Sequence, residues 1–213
     1  MKTAIVLGAS GGLGSAIASI LAEEYTVIGT HHGKEHPEIR NVTWKALDLA
    51  DASSVKRFCE GISSVDVLVD TVAAPLKVQR FHQIPLQAFQ EDYAINVLHP
   101  LLLLQTLLPK FTKNGSAIFV LSEMIYETPA FFSSYAISKY ALLGLVKSLG
   151  AELKEVRVNG VAPGMMDTKY IKTLPAFVKE QYAKAKGLVK PEKVAQAVKK
   201  LIDSETRGEV VRV

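Results

Sequence analysis

The chain has 213 residues, 48% of them hydrophobic, and carries 25 Lys and Arg against 21 Asp and Glu for a net charge of +4. This length suits one domain better than two, and the apolar share is enough for the sizeable core of an ordinary globular protein. The longest greasy stretch, from Leu101 to Leu108, is broken by Gln105 and falls far below the ~20 residues that cross a bilayer, so no membrane partner is expected.

The start, MKTAIVLGAS, sets one Lys before an apolar run. That run breaks at Gly8 without a credible cleavage region, so no targeting segment is expected and a cytoplasmic location is. Short apolar runs then alternate with longer helical patterns, the rhythm of βαβ units. Strands are predicted over 2–8, 25–30, 42–47, 65–70, 116–121, 156–161 and 208–213, and helices near 12–24, 51–61, 86–112, 132–154 and 191–202. Seven strands make a full open sheet, and several are continuous β-branched runs, as in a parallel sheet covered on both faces. Asp51 is placed to cap the helix that follows it, and Pro191 with Glu192 opens the last one. No repeat or linker intervenes, so residues 1–213 are read as a single domain, with the least regular stretch, 164–190, as a lid. The lone Cys59 cannot pair internally and reads as a core filler in a reducing compartment. From Lys169 to Lys200, nine Lys stand against two Glu, either as solvated helix faces or as a basic lobe for an anionic ligand. Nucleic acid is not expected there, since Tyr170, Phe177 and Tyr182 are not interleaved with Arg.

After the first strand comes GASGGLG, residues 8 to 14, leading into an apolar helix. Strand, glycine turn and helix start in that order let backbone N–H groups and the helix dipole face a diphosphate, although a plain turn needs glycine too. At the tip of the second strand no Asp or Glu is available for the ribose hydroxyl of NAD. His31, His32 and Lys34 stand there instead, either facing a 2'-phosphate, which favours NADP(H) over NAD(H), or forming a polar loop. Asp48, after the third strand, suits either the adenine amino group or the cap of the next helix.

The stretch SSYAISKYALLG, from Ser133 to Gly144, places Tyr135 four residues before Lys139, on one face of a helix. A free Tyr has a pKa near ~10, and a cation held close would lower it toward useful proton transfer. Ser122, at the C-terminal end of a strand, could hydrogen-bond a substrate oxygen.

These motifs resemble those of the short-chain dehydrogenase/reductase family, in the family's order and over nearly the whole length. They are Gly8-x-x-x-Gly12-x-Gly14, Asp48-Leu49, Asn96 in YAINVLHP, Ser122, Tyr135-x-x-x-Lys139, and Pro163-Gly164 with Thr168 in VAPGMMDT. The resemblance implies a Rossmann-like, doubly wound parallel seven-stranded sheet with helices on both faces, in three α/β/α layers. It implies hydride transfer between NADP(H) and a small carbonyl or alcohol. Tyr135 would pass the proton, Ser122 would hold the substrate oxygen, Lys139 would lower the Tyr135 pKa and bind the nicotinamide ribose, and Asn96 would help a water relay reach Lys139. The plain alternative for Asn96 is a helix kink or a bond to backbone. Implied cofactor contacts are Gly8, Ser10, Gly11, Gly12, Leu13, Gly14, His31, His32, Asp48, Leu49, Ala73, Tyr135, Lys139, Pro163, Gly164 and Thr168.

Three departures stand out: Leu7 replaces a usual Thr, Asp70-Thr71-Val72-Ala73 replaces Asn-Asn-Ala-Gly, and the chain stops at Val213 where many relatives continue. The second bears on cofactor affinity, and the third leads us to expect a homodimer through helices 86–112 and 132–154 rather than a tetramer. His31, His32, His36, His82 and His99 lack ligand spacing, so no metal is expected, and His82 borders the substrate pocket at most. The segments 74–85 and 164–190 are mixed apolar and basic and suggest a modest pocket for an apolar or anionic molecule. The rival readings are a non-catalytic dinucleotide sensor or interaction protein on the same fold, and a pteridine or imine reductase.

Overall fold

In the computed structural model, which describes residues 2–33 and 35–213, the seven predicted strands all form and pair in parallel. They are β1 (Thr3–Leu7), β2 (Thr26–His31), β3 (Val42–Ala46), β4 (Val65–Asp70), β5 (Phe111–Val120), β6 (Val156–Ala162) and β7 (Val210–Arg212), in the order β3-β2-β1-β4-β5-β6-β7. The chain winds outward from β1 to β3 and then crosses back to β4, so the carboxyl ends of β1 and β4 open a crevice where the winding reverses.

Alternation along each strand sends side chains to opposite faces. Ala4 and Val6 of β1 join α1 (Gly12–Leu21) and α7 (Pro191–Asp203) in one apolar cluster. Ile5 and Leu7 join α2 (Ala52–Glu60), α4 (His99–Leu107) and α5 (Ser133–Glu152) in the other. The result is a three-layer, Rossmann-like fold with both sheet faces covered, as continuous apolar strands require. In α7 the buried Val194, Ala195, Val198, Leu201 and Ile202 recur at helical spacing, and each fully buried aliphatic side chain contributes roughly 1.5–3 kcal/mol. Asp51 caps α2 as expected, accepting from the Ser53 N–H at 2.8 Å. Cys59 is buried, and burial pushes its thiol up to about 11, which suits a core filler.

Two sequence expectations are corrected. The helix over 86–112 is broken into α3 (Leu86–Tyr93), a π turn (Ala94–Leu98), α4 and a 3-10 turn (Leu108–Lys110), and β5 already begins at Phe111. Pro100 has no N–H to return to the Asn96 carbonyl, and the helix widens at that point. Asn114, at φ 65, then bends the early part of β5, which pairs with β4 through a register shift. The second correction lies in 164–190, which holds a further helix, α6 (Ala176–Lys186), ending at Gly187 with φ 74. None of the α6 residues is buried, so the helix has no apolar stripe to reveal it. Among the described residues, no helix is long and apolar enough to cross a membrane.

Candidate active site

The glycine loop leaves β1 at Gly8, whose φ of +73 places it in the left-handed region and whose added Cβ would meet Thr71 Oγ1 at 2.9 Å. Gly14, in the first turn of α1, approaches closer still: a Cβ there would lie 2.1 Å from the Gly8 carbonyl oxygen. The loop is therefore pressed against the helix start. Gly11 caps α1 without any side-chain hydrogen bond, so the first-turn N–H groups receive no protein side chain and remain available to an anion.

This loop forms one wall of a cavity of about 610 Å³ at the switch point, through Gly8, Gly11, Gly12, Leu13 and Gly14. Ala73, Pro163, Gly164 and Thr168 border the same space, as do Ser122, Tyr135 and Lys139. Ser10 is exposed and lies outside this lining, and the Leu49 side chain is buried in the core. At Ala73 the backbone keeps a negative φ, since positive φ at non-glycine residues is confined to Asn41, Asn114 and Phe131 among the described residues. The glycine replaced at this position is therefore not required for a left-handed dihedral.

Ser122 follows β5 and caps a 3-10 turn, its Oγ accepting from the Met124 N–H at 3.3 Å and keeping its own proton free. Tyr135 and Lys139 lie one turn apart on α5 and are both buried. The Lys139 ammonium donates to the Val120 carbonyl at 2.8 Å and lies 5.5 Å from the centre of the Tyr135 ring, over its face. Burial pushes the Tyr135 phenol up to about 12; the nearby Tyr170 and Ser122 hydroxyls oppose that rise, while the Asp92 carboxylate adds to it. Lys139, expected to lower the phenol, thus has its ammonium tied to the Val120 carbonyl and set over the ring of Tyr135. Burial draws Lys139 down to about 8, against the pull of the Asp70 charge, and burial likewise raises Asp70 to about 6. Asp70, which the sequence marks only as a departure, is thus the carboxylate facing Lys139 from the end of β4.

Asn96, in the π turn, is 1% exposed. Its Oδ1 accepts from the Ala74 N–H at 2.8 Å, and its Nδ2 donates to Ser138 Oγ at 2.8 Å. Ser138 in turn donates to the Tyr135 carbonyl at 2.7 Å. Asn96 thus lies in the break of the helix and its side chain bonds backbone at Ala74.

His31, His32 and Asp48 come together around a second cleft, with Lys45 and Arg57, beside the outer strands. Asp48 accepts from the Ala50 N–H at 2.8 Å and leaves the cap of α2 to Asp51. His36 stacks on Trp44 with ring centres 4.3 Å apart. Lys34, the third member of the basic tip, lies outside the described residues. Among the described residues, no cluster of His, Cys, Asp or Glu could hold a metal ion.

The segment 164–190 lines one side of the cavity and is held there through polar ties. Tyr182 donates to Glu123 and accepts from the Met165 N–H, Lys186 pairs with Glu127 at 2.6 Å, and a bridge joins Met166 to Val189. Beneath them Ile171 and Leu174 pack on Phe132. The Tyr170 hydroxyl donates to the Ala74 carbonyl at 2.6 Å. In the sequence Tyr170 and Tyr182 are two aromatics in a Lys-rich stretch, with no spacing that ties them to Ala74 or Glu123.

A family profile described as short chain dehydrogenase matches residues 2–179. The chain belongs to the short-chain dehydrogenase family. A benzil reductase ((S)-benzoin forming) of Bacillus cereus is 27% identical over 100% of this chain and 99% of its own length. Dehydrogenase/reductase SDR family member 4 of Bos taurus is 31% identical over 93% of this chain and 71% of its own. In structure, a 3-ketoacyl-(acyl-carrier-protein) reductase from Brucella melitensis complexed with NADH superposes with a TM-score of 0.91 over 100% of this chain and 96% of that one, at 22% identity, a likeness of fold. The protein is thus a short-chain dehydrogenase/reductase, an oxidoreductase of a family that binds a nicotinamide dinucleotide and acts on small carbonyl or alcohol substrates.

Proposed function

We propose that this short-chain dehydrogenase reduces small apolar carbonyl compounds with NADPH, or oxidises the matching alcohols with NADP+. The observation that carries the reading is the convergence of the glycine loop with Ser122, Tyr135 and Lys139 on one cavity at the switch point of the sheet. The cradle fits a dinucleotide, because the uncapped first turn of α1 offers N–H groups to a diphosphate and a side chain at Gly12 would collide with Thr168 Cγ2 at 2.8 Å. When bound, the dinucleotide supplies the hydride. The chain's own residues do the rest. Ser122 donates its free hydroxyl proton to the substrate oxygen, and Tyr135, protonated across neutral pH, passes its proton to that oxygen. Lys139 holds positive charge against the ring of Tyr135, and the Asn96 network fixes the backbone around both. The lid excludes water.

Leu76, Phe132, Met165, Ile171 and Val178 make the substrate side apolar, and benzil, after which the Bacillus cereus relative is named, is the first carbonyl to offer. The preference for NADPH rests on His31 and His32 beside Lys45 and Arg57 at the second cleft. Fluorescence titration tests it: NADPH is expected to bind about tenfold or more tightly than NADH. Equal affinities would remove the preference, and no binding of either would overturn the enzyme reading in favour of an interaction protein.

A second copy of the chain is proposed to cover the outer face of α5, where Ile137 and Tyr140 are about half exposed. Gly144 continues that stripe, and a Cβ added there would meet nothing within 4 Å of its own chain. Gly144→Arg is therefore expected to leave the subunit folded and to convert a sedimenting dimer into a monomer. A wild-type protein that already sediments as a monomer would defeat the proposal.

A further inference from the structure

Tyr170 lies on the 3-10 turn Lys169–Thr173 of the lid and lines the same cavity as Tyr135. Its hydroxyl has one proton, which it donates to the Ala74 carbonyl at 2.6 Å. Ala74 is no ordinary loop residue: its N–H is held by Asn96, which reaches Tyr135 through Ser138. The lid phenol is thus fastened to the polar network that fixes the site phenol from behind, and both phenols line the one cavity.

We propose that the Tyr170 hydroxyl is a donor with two acceptors, holding the Ala74 carbonyl while Tyr135 keeps its proton and turning to the Tyr135 oxygen once that proton has passed to the substrate. Tyr170 is then a positioning residue that stabilises the phenolate of turnover. The inference rests on the reading of Tyr135 as the proton donor. In the reduction direction the Tyr135 O–H bond breaks and a substrate O–H bond forms; at Tyr170 no covalent bond changes, and only the acceptor of its hydrogen bond does.

The surrounding charges agree with this division of labour. Burial, and then the charge and hydrogen bonding of Tyr135, raise Tyr170 well above the ordinary phenol value, so Tyr135 is the phenol that ionises and Tyr170 the one that keeps its proton. From α3, the buried Asp92, 4.0 Å from Lys77, opposes ionisation of both. From α5, Lys139 lies over the Tyr135 ring with its ammonium donated to Val120, and Asp70 at the end of β4 faces that ammonium. Ser122 is the other donor able to reach the phenolate, and in the proposed reaction it is committed to the substrate oxygen.

The test is a pH titration followed by NMR of protein carrying 13C at the phenolic carbon of tyrosine, both free and in complex with NADP+, whose cationic ring lowers the neighbouring phenol. The Tyr135 signal is the one absent from Tyr135→Phe. In Tyr170→Phe the Tyr135 phenol is expected to be about a tenfold weaker acid, its midpoint higher by about one pH unit, with the other tyrosines unmoved. Tyr170→Gln, which restores a donor, is expected to recover part of the shift and serves in its place should the Phe variant fail to fold, its midpoint then staying below that of Tyr170→Ala. Coincident midpoints with lowered thermal stability would make Tyr170 only a strut of the lid and overturn the proposal. Failure of the wild type to reduce any carbonyl would instead count against the role of Tyr135, while the titration still reports the coupling of the two phenols.

Discussion

Tyr135→Phe is expected to slow carbonyl reduction by about 10²- to 10⁴-fold, the usual span for a general acid, while NADPH affinity stays within about twofold of wild type. The ring is buried and Phe preserves its packing, so the change removes the hydroxyl that carries the proton and leaves the ring in place. Steady-state rates beside a fluorescence titration separate the two effects, and turnover near the wild-type rate would remove Tyr135 from the reaction. The pH dependence follows with a definite sign. Burial pushes the Tyr135 phenol up to about 12, so the protonated form dominates from acid through neutral pH. Reduction draws on that form and should hold its rate across this range, falling only as pH climbs toward the phenol value. Alcohol oxidation draws on the phenolate and should rise over the same climb. A limb near 8 would belong to Lys139, which burial holds at about that value.

The sheet is legible in the sequence because its strands are short, apolar and β-branched, and because turns and helical patterns separate them cleanly. All seven lie on their apolar runs, and only β5 reaches further back than its apolar part, since Phe111 and Thr112 read as the end of a helix. The break at Asn96 is harder to see: Pro100 signals it, but the apolar residues on both sides keep helical spacing. Helix α6 escapes for the opposite reason, since a helix tied down by Tyr182 and Lys186 through polar contacts has no buried stripe to give it a period.

The site divides in the same way. Tyr135, Lys139 and the glycine loop are local patterns, each legible within a few residues of chain. Tyr170 and Asp70 act across the fold: 96 residues separate Tyr170 from the carbonyl it holds, and Asp70 meets Lys139 only because β4 lies beside β5. No periodicity records such a meeting. The substitution of Asp70 for an amide is visible in the sequence, but its consequence, a carboxylate facing a buried ammonium, requires the sheet order.

Gly14→Ala is expected to damage both the fold and the cradle, lowering the unfolding temperature by several degrees and NADPH affinity by about 100-fold or more. The added Cβ would lie 2.1 Å from the Gly8 oxygen, 2.7 Å from the Gly8 carbon and 2.8 Å from Ala9 Cα, all of them backbone. No side chain can turn aside, so the start of α1 and the end of β1 must move apart. Overpacking in a core costs about 1–3 kcal/mol when neighbours adjust, and contact with fixed backbone belongs at the upper end of that span or beyond it. Against a total stability of about 5–15 kcal/mol this is a large fraction. Gly144→Ala is the control, because its small Cβ meets nothing of its own chain and alanine favours a helix by about 1 kcal/mol over glycine, so its unfolding temperature should hold or rise slightly. Circular dichroism during heating and the NADPH titration read both variants. If Gly14→Ala matched the wild type in both, the loop would not be a rigid cradle. If it kept its stability and lost only NADPH, the close approach of Gly14 to Gly8 would serve binding alone, by aiming the first-turn N–H groups of α1 at the diphosphate.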